Sequence, residues 1–341
     1  MTVELARERV VAVNEEAWEF WRFHANGRED WTRAYLAGRG MRGLQAGFAP
    51  EGWARLVGRM RGRGYSADEH VAAGLAFRTE KGQIGDVFRD RLVLPYRDAQ
   101  GAIIGFTARR NPVTDDVDDA PAKYLNTTST AAFDKSRDLY GIDPAAVRRI
   151  RAGTRVALAE GALDVEAIRR TGADVVPLSG CGTAITTTHL DQLRVTHPSA
   201  VGRLIVTLDS DQAGQAGAAR VWAMMSPAEQ ASAQAARLHP GADPADYVRC
   251  GRRQDLTAAL TRTCDLTQVV VDQHLGAADL EHIEGRVAAV RAIATELAHL
   301  PAAHLATTAA FLTARMSEQL DPQTITDEII AAHLAQAGEA G

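Results

Sequence analysis

Lysine and cysteine are nearly missing from this chain. Only three of its 38 basic residues are lysine (Lys81, Lys123 and Lys135), and 341 residues hold three cysteines. Cys181, Cys250 and Cys264 are scattered, with no Cys-x-x-Cys and no matched histidine pair. That argues against zinc as a cofactor and against a disulfide framework. The ten histidines lack metal-ligand spacing and read as surface or helix-filling residues. No apolar run approaches the ~20 residues that span a bilayer, so no membrane partner is expected. The first residues, Met-Thr-Val-Glu-Leu-Ala-Arg-Glu-Arg, place acids where a secretory leader is basic, and cytoplasm is the default expectation. No Gly-x-x-x-x-Gly-Lys-Ser/Thr occurs, which disfavours a P-loop ATPase or helicase.

What is present is ordinary for a soluble globular protein: 46% hydrophobic and 24% charged residues, in a chain long enough for two or three units. The net charge of −5 hides an asymmetry. Residues 20–114 carry 16 Lys+Arg against 9 Asp+Glu, a balance of +7, which leaves −12 elsewhere. A basic part beside an acidic part suits a surface for a phosphate backbone next to a surface for metal.

The order of elements is legible in outline. Residues 1–70 read as helical, with an aromatic cluster of Trp18, Trp21 and Phe23 and a turn at Gly47-Phe-Ala-Pro50. Two short apolar strands, from Arg91 to Arg97 and from Gly101 to Arg109, flank a hairpin-like turn at Asp98-Ala-Gln-Gly101. From about residue 153 strands and helices alternate, which predicts a parallel sheet with crossover helices. Strands are expected at Arg155–Ala159, Asp174–Leu178, Arg203–Leu208 and Ala235–Leu238, and helices at Val165–Arg170, Thr188–Arg194 and Gly214–Met225. Beyond about 265 an Ala/Leu-rich tail reads as a small helical bundle.

Carboxylates mark the chemistry. The run Leu204-Ile-Val-Thr-Leu208 ends in Asp209-Ser-Asp211, and Val156-Ala-Leu-Ala159 ends in Glu160-Gly-Ala-Leu-Asp164. Asp209 and Asp211 share one side of an extended segment, because side chains alternate with period two. Acidic groups at the carboxyl ends of neighbouring strands sit where open α/β sheets bind ligands. Hard oxygen donors suit Mg²⁺, and two ions can activate an attacking hydroxyl and stabilise the leaving oxygen. Gly214 and Gly217 let the following helix approach phosphates or the sheet closely.

Residues 153–250 resemble a Toprim domain, the metal-binding fold shared by bacterial primases, topoisomerases and some nucleases. Its glutamate motif matches Glu160-Gly-Ala-Leu-Asp164, its glycine turn Gly180-Cys-Gly-Thr183, its aspartate motif Asp209-Ser-Asp211-Gln-Ala-Gly214, and a further acidic motif Asp243-Pro-Ala-Asp246. Upstream, Asp90-Arg-Leu-Val-Leu-Pro-Tyr-Arg-Asp98, Gly101-Ala-Ile-Ile-Gly-Phe-Thr-Ala-Arg109, Lys123-Tyr-Leu-Asn126 and Phe133-Asp-Lys135-Ser-Arg-Asp-Leu-Tyr-Gly141 are similar to the RNA polymerase core of DnaG-type primases.

The resemblance implies an α/β fold: a Toprim-type parallel sheet flanked by helices (151–255), preceded by a basic α+β subdomain (1–150) and followed by a helical subdomain (256–341). It implies primer synthesis from ribonucleoside triphosphates on a single-stranded DNA template with two Mg²⁺ or Mn²⁺ ions. Asp209 and Asp211 would bind metal, Asp164 and Asp243 would support it, and Glu160 would be general base or ligand. Arg39, Arg89, Arg91 and Arg109 would line the template groove. Lys123, Asn126 and Lys135 would hold template and nucleotide phosphates, and two of the chain's three lysines fall in these motifs.

Two departures accompany the likeness. No zinc ribbon of the family's kind is expected here, and its helicase-binding domain is expected to be absent or truncated, so a helicase or a separate zinc-ribbon protein is an expected partner, as in a plasmid or phage setting. Ala245 stands where the family carries an aspartate, with Asp246 one residue out of register on what would be an extended chain. A Toprim nuclease and a weakened strand-binding accessory are the alternatives. A topoisomerase is disfavoured, because no tyrosine lies in a strand-breaking segment.

Overall fold

Helix α1 (Arg7–His24) carries Trp18 and Trp21 three residues apart, hence on one face, and both are buried. The Trp21 ring meets Phe106 edge-on at 4.8 Å and Phe88 at 5.6 Å. Phe23 lies off that face and is 78% exposed, so the expected aromatic cluster loses its third member to solvent. A computed structural model describes residues 5–25, 27, 30–182, 184–207, 212–316 and 318–339.

Around α1 the chain builds α2 (Thr32–Gly38), β1 (Gly47–Ala49), α3 (Arg55–Arg61), α4 (Ala67–Ala72), β2 (Ala76–Arg78) and β3 (Ile84–Asp86). Then come β4 (Arg91–Arg97), β5 (Ile103–Arg110) and β6 (Tyr124–Asn126). These form an antiparallel sheet in the order β1-β4-β5-β6, with β2 and β3 as a separate hairpin. The turn expected at Gly47–Pro50 is instead largely the strand β1, paired to β4. Gly47 is needed there for closeness: an added Cβ would lie 2.8 Å from Trp21 Cβ. The 98–101 hairpin forms as expected, with Gly101 at φ +93° and the Asp98 carboxylate accepting the amides of Gln100 and Ala102.

After α5 (Pro144–Arg151) the alternation begins: β7 (Arg155–Ala159), α6 (Ala162–Arg169), β8 (Val175–Ser179), α7 (Thr187–Thr196), β9 (Leu204–Thr207), α8 (Gln212–Ala223), α9 (Pro227–Gln230) and β10 (Gln234–Ala235). Then follow α10 (Pro244–Arg249), α11 (Arg253–Thr261) and β11 (Cys264–Asp265). The sheet order is β11-β10-β9-β7-β8, with every pair parallel except β10–β11. The last expected strand shrinks from four residues to two.

The strands feed two cores by alternation. Ala157, Ala159 and Ile205 face one core with α6, α10 and α1, while Val156, Leu158, Leu204 and Val206 face the other. That second core holds α5, α7, α8 and the helical tail of α12 (Leu266–Ala277), α13 (Ile283–Leu297), α14 (Ala302–Met316) and α15 (Pro322–Glu339). No helix among the described residues is long and apolar enough to cross a membrane.

Candidate active site

The loop after β7 turns to α6 on one face of the sheet, whereas the loops after β8 and β9 lead to α7 and α8 on the other. The carboxyl edge between β7 and β9 is therefore a topological switch point, where open sheets leave a crevice. Glu160 emerges there, exposed, immediately beyond Ala159. It lines a cleft of about 260 Å³ with Gly180, Gly182, Gly214, Gly217 and Arg220. Asp209 and Asp211, expected to complete the carboxylate set, lie outside the described residues, as does Thr183.

Asp164 sits in the first turn of α6. Its Oδ2 accepts the amide of Gly161 at 3.0 Å and its Oδ1 the amide of Ala245 at 3.2 Å. One buried carboxylate thus closes the turn after Glu160 and ties α6 to α10. Asp243 caps α10 by accepting the Asp246 amide at 2.6 Å. The segment around Ala245 is consequently helical, not extended as expected. Ala245 is buried in the first core, and Asp246 faces Arg249 at 3.0 Å and Arg39 at 3.9 Å. Among the described residues no three His, Cys, Asp or Glu side chains gather as a metal cage. Among the described residues Glu160 is the one carboxylate lining the cleft, a hard oxygen donor of the kind that suits Mg²⁺.

Ser179 organises the turn beside Glu160. Its hydroxyl donates to the Glu160 carbonyl at 2.7 Å and accepts the Cys181 amide at 2.8 Å. Its backbone pairs with Tyr140 on both sides. Cys181 adopts φ +50°, and burial pushes its thiol up to about 12, so it stays protonated. Its carbonyl accepts Asn126 Nδ2 at 2.9 Å, which couples β6 of the basic sheet to the acidic cleft.

The cationic residues divide in two. Arg89, Lys123 and Lys135 are exposed, and Arg89 stacks 5.4 Å from the Trp53 ring and 5.6 Å from that of Phe77. Arg39 is partly buried. Arg91 and Arg109 do not line an open groove, contrary to expectation: both are buried. Arg91 Nη2 donates to the Ala122 carbonyl at 2.9 Å, and burial lowers its pKa. Arg109 pairs with Asp115 and lies 4.8 Å above the Tyr35 ring. These two shape the 110–123 loop from beneath, because a guanidinium fork can satisfy several acceptors at once.

Sequence reasoning passed over Ser179, Thr186 and His189. Thr186 and His189 form a capping box at the start of α7. The Thr-x-x-His spacing was a readable signal, although Glu or Gln is the usual partner at the third helical position.

Comparison with known proteins accounts for this arrangement. Residues 22–146 match the family model of the DNA primase catalytic core, N-terminal domain, and residues 157–248 match a Toprim-like model. The DNA primase of Mycolicibacterium smegmatis is 34% identical over 306 residues, covering 86% of this chain and 47% of that protein. The DNA primase of Streptomyces coelicolor is 35% identical over 285 residues, covering 81% and 43%. The RNA polymerase domain of Mycobacterium tuberculosis primase DnaG, solved with double-stranded DNA, superposes with a TM-score of 0.77 at 30% identity, covering 91% of this chain and 98% of that one. A DNA primase domain from Pseudomonas aeruginosa gives 0.72 at 27%, covering 94% and 99%. This chain spans less than half the length of those two curated primases but nearly all of the solved domains. The chain belongs to the DnaG-type bacterial primase family, whose catalytic core it spans.

Proposed function

We propose that this protein makes RNA primers on single-stranded DNA, joining ribonucleotides by attack of a 3′-hydroxyl on an α-phosphate with loss of pyrophosphate. The observation that carries this reading is the Asn126–Cys181–Ser179–Glu160 run of bonds, which couples a basic sheet to a carboxylate at a sheet switch point. Toprim membership implies divalent-metal dependence. Mg²⁺ or Mn²⁺, held by Glu160, Asp209 and Asp211 with support from Asp164 and Asp243, would supply charge neutralisation at the reacting phosphate. Glu160 takes the hydroxyl proton or joins the metal shell. Arg39, Arg89, Lys123, Asn126 and Lys135 hold template and nucleotide phosphates, with Arg91 and Arg109 supporting that surface from below. The primase domain solved with double-stranded DNA supports a DNA substrate. Residues 1–150 supply the basic surface, 151–255 the metal, and 256–341 close the second core.

Catalysis of this kind comes from positioning and electrostatics more than from covalent chemistry. The test is template-directed ribonucleotide incorporation on a labelled single strand with Mg²⁺ or Mn²⁺. The expected result is nucleotide-dependent RNA, abolished by Glu160→Gln and by Asp209→Ala with the fold retained. Strand shortening without nucleotides indicates a nuclease instead. Salt-sensitive binding without synthesis indicates an accessory protein.

A further inference from the structure

The first turn of α7 grips two consecutive carbonyls of the loop that carries Lys135. Thr186 Oγ1 donates to the Ser136 carbonyl at 2.6 Å, and His189 Nε2 stands 3.1 Å from the Lys135 carbonyl. The same two residues cap each other. The Thr186 amide lies 3.1 Å from His189 Nδ1, and the His189 amide donates to Thr186 Oγ1 at 3.2 Å. A carbonyl only accepts and an amide only donates. One form of the ring satisfies both neighbours: neutral, with its proton on Nε2 and its lone pair on Nδ1.

The gripped loop is also bonded within itself. The Asp134 amide donates to Asp138 Oδ2 at 2.8 Å, and the Ser136 amide and hydroxyl donate to Asp134 Oδ1 at 2.9 and 2.7 Å. His189 is fully buried, whereas the Lys135 side chain at the loop tip is exposed. On the other side of the grip, Ala184 and Ile185 run directly into α7 and line the Glu160 cleft. One helical turn therefore connects the wall of the acidic cleft with the backbone beneath a lysine.

We propose that His189, assisted by Thr186, is a positioning residue that sets the Lys135 ammonium relative to the Glu160 cleft by holding the backbone beneath it. This rests on the reading of Lys135 as a phosphate-holding residue. An ordinary helix cap needs only the acceptor at Nδ1. The donor at Nε2, aimed at the one carbonyl that belongs to Lys135, is what a cap alone does not require. Gln can present both an acceptor and a donor from this position. Leu presents neither.

The experiment compares His189→Leu, His189→Gln and Lys135→Ala, singly and with His189→Leu combined with Lys135→Ala. The readouts are ribonucleotide KM, kcat and single-strand affinity in the full chain, with thermal unfolding alongside. Lys135→Ala and His189→Leu are each expected to weaken nucleotide or strand binding by about tenfold, with His189→Gln within about threefold of the parent. In the Lys135→Ala background, His189→Leu should add less than about twofold, because the group it positions is gone. Equal losses from His189→Leu with and without Lys135 overturn the proposal, as does parental binding in His189→Leu when Lys135→Ala is impaired. Parental binding in Lys135→Ala overturns the underlying reading of that lysine, and the proposal with it. Where His189→Leu fails to fold, Thr186→Val, which removes the grip on Ser136, is read through the same cycle.

Discussion

Asn126 Nδ2 donates to the carbonyl of Cys181 at 2.9 Å, so a side chain on the edge strand of one sheet fastens the turn beside Glu160 in the other. Its Oδ1 is buried with no hydrogen-bond partner among the described residues, a situation rare in folded proteins. Asn126→Ala removes one hydrogen bond and also one orphaned acceptor, so its effect on stability should stay within about 1 kcal/mol. Primer synthesis should fall by at least about tenfold, a loss of roughly 1.4 kcal/mol in transition-state stabilisation. Denaturant unfolding beside an incorporation assay separates the two. A large stability loss with proportionate activity loss would reduce Asn126 to a structural tie.

The division among the arginines gives a second expectation. Arg89→Ala should leave stability nearly unchanged, weaken single-strand binding and lower the salt slope by about one. Arg91→Ala strands carbonyl acceptors at residues 122 and 123 and opens buried space, at a cost of about 2–4 kcal/mol. Binding isotherms across a salt series, paired with thermal melts, decide it. If Arg91→Ala is as stable as the parent yet changes the salt slope, Arg91 contacts DNA after all.

His70 predicts acid sensitivity. The side chain is fully buried, neither ring nitrogen is hydrogen-bonded among the described residues, and burial lowers its pKa to about 4. The unfolded chain then binds a proton near pH 6.5 that the folded chain refuses. The neutral ring's contribution is fully present above about pH 6.5 and declines as pH falls toward 4. The loss across that window is about 3 kcal/mol. Burial lowers the pKa of His189 too, which adds to the same slope. In urea titrations at several pH values, His70→Leu should flatten part of this decline. An unchanged pH profile would mean the ring is solvated in solution.

Gly141 closes the Phe133–Gly141 motif at φ +98°, and an added Cβ would lie 2.6 Å from the Pro177 carbonyl oxygen. Gly141→Ala should therefore cost at least about 2 kcal/mol and loosen the Tyr140–Ser179 bridge that supports the cleft. Calorimetry on the variant measures the first effect, and the loss of incorporation measures the second. A melting temperature equal to the parent's would contradict this account of the glycine.

Where the chain was legible, a period or a terminus gave it away. The strand at 155–159 ends where its apolar run meets Glu160, and the 98–101 hairpin carries its own Asp and Gly. Helix α6 begins three residues earlier than its apolar pattern, because Gly161 and Asp164 cap it and neither belongs to the stripe. β1 was hidden because its three residues look like a turn and become a strand only through pairing with β4. Arg91 and Arg109 show the limit for site residues: a motif locates a charge along the chain but not its depth. The Ala245 segment failed for a related reason, since Asp243 acts as a cap and starts a helix there.

Alternate residues of β7 serve opposite sides, Ala157 and Ala159 with the aromatic helix α1, Val156 and Leu158 with α5 and the tail. A protease nick or a gene split between residues 150 and 151 would therefore not release two self-sufficient folding units. It would detach Ile150 and Val147 from one apolar cluster and divide the other, leaving Trp18 and Trp21 with Phe88 and Phe106 on one fragment and Ala157, Ala159 and Tyr247 on the other. The cation-rich and acid-rich portions are consequently expected to melt together, so the proposed template grip and metal affinity would be lost in the same event.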